Sequence, residues 1–258
     1  MTNPVLLEQM HGKALCLTLN RPDQLNAFND ALYNSLANAL TRAANDPNIA
    51  AVMITGAGRA FSAGQDLEEL GDDRSHDQRQ KDGFTPFIEA VESFPKPLVA
   101  AVNGIGVGIG MTILPHCDLV LISDAARLRV PFTSLGLTAE AGSSLLLTRL
   151  AGWQKAADML FRSRWMLADE AVACGIALEV VPADQLLARA HDMLDELSAL
   201  PVTSLKATKQ LLLDARLDDV RAARARENTA FATLVDGPAN REALAAFAEK
   251  RPANFDGI

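Results

Sequence analysis

Three nearly unbroken apolar runs constrain this chain more than any other feature: IAAVMIT (49–55), PLVAAVNG (97–104) and DLVLIS (118–123). Each run ends in turn residues. A strand with one wet face alternates apolar and polar side chains, whereas a strand covered on both faces has no alternation. Helical periodicity separates the runs. Residues 30–44 place Leu32, Leu36, Ala39, Leu40 and Ala43 at helical spacing, with Asn29 or Asp30 positioned as N-cap. Strands alternating with helices imply an α/β fold with mostly parallel pairing. Ahead of them, LLEQM and KALCLTL flank HG as a hairpin with Leu15, Leu17 and Leu19 on one face. After about residue 182 the strand signal stops, and 184–199, 203–214, 218–235 and 238–249 read as helices. A helical tail with no strands of its own must bury its apolar stripe on the core or on a neighbouring subunit. Its RAARARE run (221–227) reads as a solvated face.

Charge and patterning remove several classes of function. A net charge of −8 over 258 residues argues against nucleic acid as the main partner, because phosphate binding needs a basic face. No apolar run reaches the roughly 18 residues that a membrane span needs. MTNPVLLEQMHGK lacks the basic and apolar regions of a secretory signal, and NFDGI is no peroxisomal address, so a cytoplasmic location is expected. Cys16, Cys117 and Cys174 are odd in number and set among apolar residues, which reads as buried free thiols. The histidines show no metal-ligand spacing: His11 sits in the hairpin turn and His76 in a polar stretch. That stretch, GDDRSHDQRQKDG (71–83), is a solvated mobile loop or a flexible rim over a site.

Two glycine-bearing motifs invite familiar readings and fail them. NGIGVGIG (103–110) would need its third fingerprint glycine at Ile109 or Met111, so it is not a dinucleotide-binding turn. FSAGQDL (61–67) has Ala60 where a nucleophile elbow needs glycine, and Asp66 could cap a helix beginning at LEEL. Dense glycine still lets backbone approach a ligand or a facing helix closely. In LGLTAEAGSS (135–144), Glu140 stands as the only charge, just before the helical run SSLLLTRL. A carboxylate there suits the positive end of a helix, or acid–base chemistry in an apolar pocket.

Taken together, FSAGQDL, AVNGIGVGIG, CDLV, LGL, LTRLAG, ADEAVACGIALEVVP and AFAEKRPANF resemble the crotonase family, the enoyl-CoA hydratase/isomerase superfamily, in order and over nearly the whole chain. The resemblance implies a crotonase-like spiral of ββα turns over residues 1–195 and a helical trimerisation region over 196–258. It implies a homotrimer or a hexamer, and an acyl-CoA thioester as substrate in fatty acid or related catabolism, with no cofactor or metal. The backbone N–H groups of Ala63 and Ile109 would hold the thioester oxygen. Ser62, Gly64, Gln65 and Asp66 would line the CoA path with them. Phe247 and Lys250 match contact positions near the adenine end, although Lys250 reads equally as a surface lysine.

The catalytic carboxylates depart from the hydratase pattern. Where family hydratases carry two glutamates, this chain has Thr112 and Phe132. PFTSLGLTAEAGSS is instead similar to the peroxisomal-type Δ3,Δ2-enoyl-CoA isomerases, in which one glutamate does the acid–base work. The match points to Glu140 as the proton shuttle, with Phe132 as an apolar wall that excludes water. Hydration with an unusual base and a catalytically silent acyl-CoA binder are the alternatives.

Overall fold

The computed structural model describes residues 3–66 and 83–258. His76, the helix expected at LEEL and all of the 71–83 stretch except Gly83 lie outside the described residues.

The strands in chain order are β1 (Leu6–His11), β2 (Ala14–Leu19), β3 (Ala51–Gly56), β4 (Ala60–Ser62), β5 (Leu98–Val102), β6 (Ile105–Val107), β7 (Leu119–Ser123), β8 (Arg127–Arg129), β9 (Met166–Leu167) and β10 (Glu179–Val181). The helices are α1 (Asp30–Asn45), α2 (Thr85–Glu92), α3 (Ile109–Thr112), α4 (Ser143–Arg162), α5 (Ala168–Ala173), α6 (Leu186–Ser198), α7 (Val202–Asp214), α8 (Leu217–Leu234) and α9 (Pro238–Ala248).

Two sheets share the strands by a repeating rule. The six-stranded sheet runs β1-β2-β3-β5-β7-β10, and the four-stranded sheet runs β4-β6-β8-β9. The pairs β3–β4, β5–β6 and β7–β8 each send a long strand to the first sheet and a short one to the second, parallel to the previous pair. That succession is the spiral of turns that the resemblance implies. The hairpin β1–β2 forms as expected, with Leu6 opposite Leu19 and His11 opposite Ala14. The three apolar runs become β3, β5 and β7, whose central residues are buried on both faces of the sheet.

Alternation along β2 divides the interior. Leu15, Leu17 and Leu19 join the large core that α1 covers, while Ala14 and Cys16 face a smaller cluster closed by Leu186, Ala190 and Leu194 of α6. Each fully buried leucine contributes roughly 1.5–3 kcal/mol. Asn29 caps α1 by accepting a hydrogen bond from the Leu32 N–H at 3.0 Å. At the other end of α1, the buried Lys96 ammonium donates to the carbonyls of Ala43 and Asp46.

The tail helices α7, α8 and α9 dock through narrow contacts. On α7 only Lys209 and Leu213 are buried, whereas Leu211 is 72 % exposed. Lys209 grips Asp118 at 2.6 and 2.7 Å, and Asp118 also accepts from the Leu98 N–H. On α8, Arg221 and Arg224 converge on the buried Glu92 of α2. This corrects part of the reading of 221–227 as a solvated face: Ala223, Arg224 and Glu227 turn inward, while Ala222, Ala225 and Arg226 remain exposed. Asn240 of α9 donates to the Leu135 carbonyl at 2.8 Å. Among the described residues, no helix is long and apolar enough to cross a membrane.

Candidate active site

The spiral brings two backbone corners together. β4 and β6 pair in parallel, Ala60 opposite Ile105 and Ser62 opposite Gly106, so FSAG and GVGIG run side by side. Gly64 lies in the left-handed region (φ +96°), and a Cβ added to it would sit 2.9 Å from the Val107 carbonyl oxygen. A Cβ on Gly110 would sit 2.7 Å from the carbonyl oxygen of Ser62. Only glycine permits backbones this close.

At this junction Ile109 opens the single-turn helix α3 behind Gly108. Its N–H has no hydrogen-bond acceptor among the described residues, as befits the first residue of a helix. The second expected donor differs. The Ala63 N–H already donates to the Leu25 carbonyl at 2.9 Å. Of the two, only the Ile109 N–H is free in this structure, and Ala63 must share or give up its bond to reach a ligand.

Three neighbouring side chains expected along the CoA path are turned to protein partners. The Ser62 hydroxyl, fully buried, accepts from the Gly64 N–H at 3.1 Å. Gln65 accepts from the Tyr33 hydroxyl at 2.9 Å. Asp66 is buried against Arg21 at 2.7 Å, which ties it to the loop before α1. These bonds fasten the corner to the fold. Phe132 packs in the same apolar cluster as Ile109, Met111 and Ala141. Phe247 and Lys250, at the end of α9, are exposed.

Glu140 meets the short helix α3 at Thr112. Among the described residues, its hydrogen-bond partner is the Thr112 hydroxyl on α3, a long contact of 3.5 Å to Oε1. Positions 112 and 140 therefore share one spot, one helical turn from the Ile109 N–H. Burial, then the negative charge of Glu227, pushes the Glu140 carboxyl up to about 8, against a smaller lowering by the Thr112 hydroxyl. A carboxyl poised there both takes and returns protons near neutral pH.

Glu140 does not cap α4. That place belongs to Glu227, buried on α8, whose carboxylate accepts from the Gly142 N–H at 2.6 Å and the Ser144 N–H at 2.7 Å. The turn carrying Glu140 is pinned further by His116, whose ring bonds the Ala141 carbonyl at 2.7 Å. Burial, with the positive charges of Arg216, Lys209 and Arg224, lowers His116 to about 4, although the Ala141 bond opposes this. The ring is neutral at pH 7, and since a carbonyl only accepts, its proton is on Nε2. Sequence reasoning missed both residues. Glu227 had a signal: with Val220 and Ala223 it falls on the buried stripe of α8.

At this corner the spiral of paired ββ turns carries a helix-terminal N–H without an acceptor among the described residues, and a carboxyl of raised proton affinity in contact with the same short helix, an arrangement suited to acid–base chemistry next to a polarised carbonyl. The enoyl-CoA hydratase/isomerase family model matches residues 10–257, and the chain belongs to that family, the crotonase superfamily. A probable enoyl-CoA hydratase, echA8, from Mycobacterium tuberculosis is 33 % identical over 99 % of both chains. The 1,2-epoxyphenylacetyl-CoA isomerase of Escherichia coli K12 is 30 % identical over 98 % of both. Among solved structures, an enoyl-CoA hydratase/isomerase from Pseudoalteromonas atlantica superposes with a TM-score of 0.92 at 36 % identity, covering 97 % of this chain and 99 % of that one. Most of the curated relatives carry hydratase names, and none of these comparisons singles out the Δ3,Δ2-isomerase type.

Proposed function

We propose that the protein is an acyl-CoA enzyme that moves protons beside a thioester, with Glu140 as its acid–base group. The form of that chemistry the geometry supports best is conversion of 3-enoyl-CoA to 2-trans-enoyl-CoA. The observation that carries the reading is the convergence of Thr112 and Glu140. Of the two positions where family hydratases bear glutamate, one holds a hydroxyl facing Glu140 and the other a buried phenylalanine.

The chemistry follows from the charges. Taking a proton from C2 places negative charge on the thioester oxygen, which the Ile109 N–H stabilises, joined by the Ala63 N–H once its bond to Leu25 yields. A fixed donor at such an oxygen is worth about 10²–10³ in rate. The Glu140 carboxylate accepts the C2 proton and returns it to C4, and the double bond moves from C3–C4 to C2–C3. No water is consumed, so an apolar wall at Phe132 aids the reaction. The test is turnover of 3-enoyl-CoA by the wild type and Glu140→Gln, with CoA-ester affinity measured alongside. Lost turnover with retained affinity supports the shuttle. Unchanged turnover ends it.

The relatives' names favour a second reading, hydration or another reaction of the family. Glu140 would then have to activate water as well as exchange the C2 proton. Water addition to crotonyl-CoA at a rate matching isomerisation would establish it. Tight CoA-ester binding without turnover of either substrate would instead mark a binding protein. We further propose that the exposed apolar side chains of α4 and α7, Trp153, Phe161, Leu211 and Leu212, are covered in a homotrimer or a dimer of trimers, which light scattering would reveal.

A further inference from the structure

The N-terminus of α4 creates a problem for the residue just ahead of it. The first segment of α4, which runs from Ser143 to a kink at Gly152, carries a positive end with unpaired N–H groups, and a nearby carboxylate is drawn onto it. Glu140 lies three residues before the first turn. Left alone, it would cap the helix, drop its proton affinity and face away from Thr112. The chain avoids this with a carboxylate brought from 85 residues away.

We propose that Glu227 is a positioning residue: by occupying the N-terminus of α4 it keeps Glu140 off the helix and directed at the corner formed by Thr112 and the Ile109 N–H. The assignment rests on Glu140 being the acid–base group of the site. Both Glu227 oxygens are engaged at the helix end, Oε2 by the Gly142 N–H and Oε1 by the Ser144 N–H, which turns the carboxylate toward α4. The segment between is held in a conformation that favours this division of labour. Ala141 (φ +60°) and Gly142 (φ +73°) both lie in the left-handed region, His116 holds the Ala141 carbonyl, and the Ser143 N–H closes the turn on the Glu140 carbonyl at 3.0 Å. An alanine adopts that conformation only where its surroundings enforce it.

Besides Glu227 from α8, the groups facing this turn are the neutral His116 and the Thr112 hydroxyl from the α3 side. Arg224 of α8, Arg216 between α7 and α8, and Lys209 of α7 lie around His116. The three cations surround the histidine, whereas the charge acting on Glu140 is that of Glu227. Removing it therefore acts on Glu140 in two ways that agree in sign: the helix end becomes open to Glu140, and a repelling anion disappears. Both favour the ionised form.

The test compares wild type, Glu227→Gln and Glu227→Met by carbon-13 NMR titration of the Glu140 carboxyl, assigned by its loss in Glu140→Gln. No substrate is present, so the result stands apart from whether the reaction is isomerisation. The midpoint should fall by at least one pH unit, a tenfold rise in the acid constant, in either variant that folds. The rising limb of kcat/KM against pH should move to lower pH by the same interval. A midpoint that stays in place while thermal stability drops would show Glu227 to be a helix cap only, and would overturn the proposal. So would a wild-type midpoint in the ordinary carboxylate range, whatever the variants do. Absence of 3-enoyl-CoA turnover in the wild type, with the midpoint shift intact, would count against the isomerase and not against this role.

Discussion

Replacing Glu140 by glutamine should make the protein more stable as it removes activity, and only at elevated pH. In the unfolded chain the carboxyl loses its proton near its ordinary value of 4.5, and in the folded protein near about 8. Between those values the folded state holds a proton that the unfolded state has released, so stability falls as pH rises through the window. Each pH unit is worth about 1.4 kcal/mol, which sets a ceiling of about 5 kcal/mol. Glu140 keeps part of its surface open and holds the Thr112 contact, so water relieves much of this, and about 2 kcal/mol is the expected gain. For a chain of this length that corresponds to roughly 4–8 °C in melting temperature. Calorimetric scans of both proteins at equal concentration, from pH 5 to pH 9, supply the comparison. The curves should nearly coincide at the acid end and diverge toward pH 8, with the glutamine variant higher. A constant offset across the range, or a variant that melts earlier at pH 9, would refute the burial argument.

Two other perturbations probe the scaffold, and one probes the reaction. Gly110→Ala drives a methyl into the Ser62 backbone, so stability should fall by about 1–3 kcal/mol and kcat by at least tenfold, read from melting curves and steady-state rates. Asn26, fully buried, accepts from the Arg21 N–H and donates to the carbonyls of Ala57 and Ala60; Asn26→Ala removes all three bonds, leaving the Ala60 carbonyl only its 3.2 Å bond from Asn103, and should cost about 3 kcal/mol in denaturant titration. The base must be ionised to accept the C2 proton, so kcat/KM for 3-enoyl-CoA should rise about tenfold per pH unit up to about 8 and level off above it.

How much of this was readable in advance depended on distance along the chain. β3, β5, β7, α1 and the tail helices follow from local periodicity, and their observed bounds differ by a few residues at most from those expected. The junction of Ala63 with Ile109 came from family spacing; composition could not supply it, because the β4–β6 pairing joins residues far apart in sequence. The partners of individual polar groups were not readable. The resemblance placed Ser62, Gln65 and Asp66 along the CoA path, yet each side chain has a partner within the fold, as does the Ala63 N–H in Leu25. The RAARARE run misled for the opposite reason. Its charges suggested water, whereas Arg224 and Glu227 are consumed by Glu92 and the α4 N-terminus, groups identified only once the helices are packed. The family resemblance was sound, and the narrower isomerase reading stays a proposal carried by one side chain.

The most direct test follows the proton itself. 3-Enoyl-CoA carrying deuterium at C2, turned over in ordinary water, should give 2-trans-enoyl-CoA with part of that deuterium at C4, and Glu140→Gln should abolish the transfer. A product whose new C4 hydrogen comes wholly from water, formed equally fast by the variant, would contradict a single-carboxylate shuttle at Glu140.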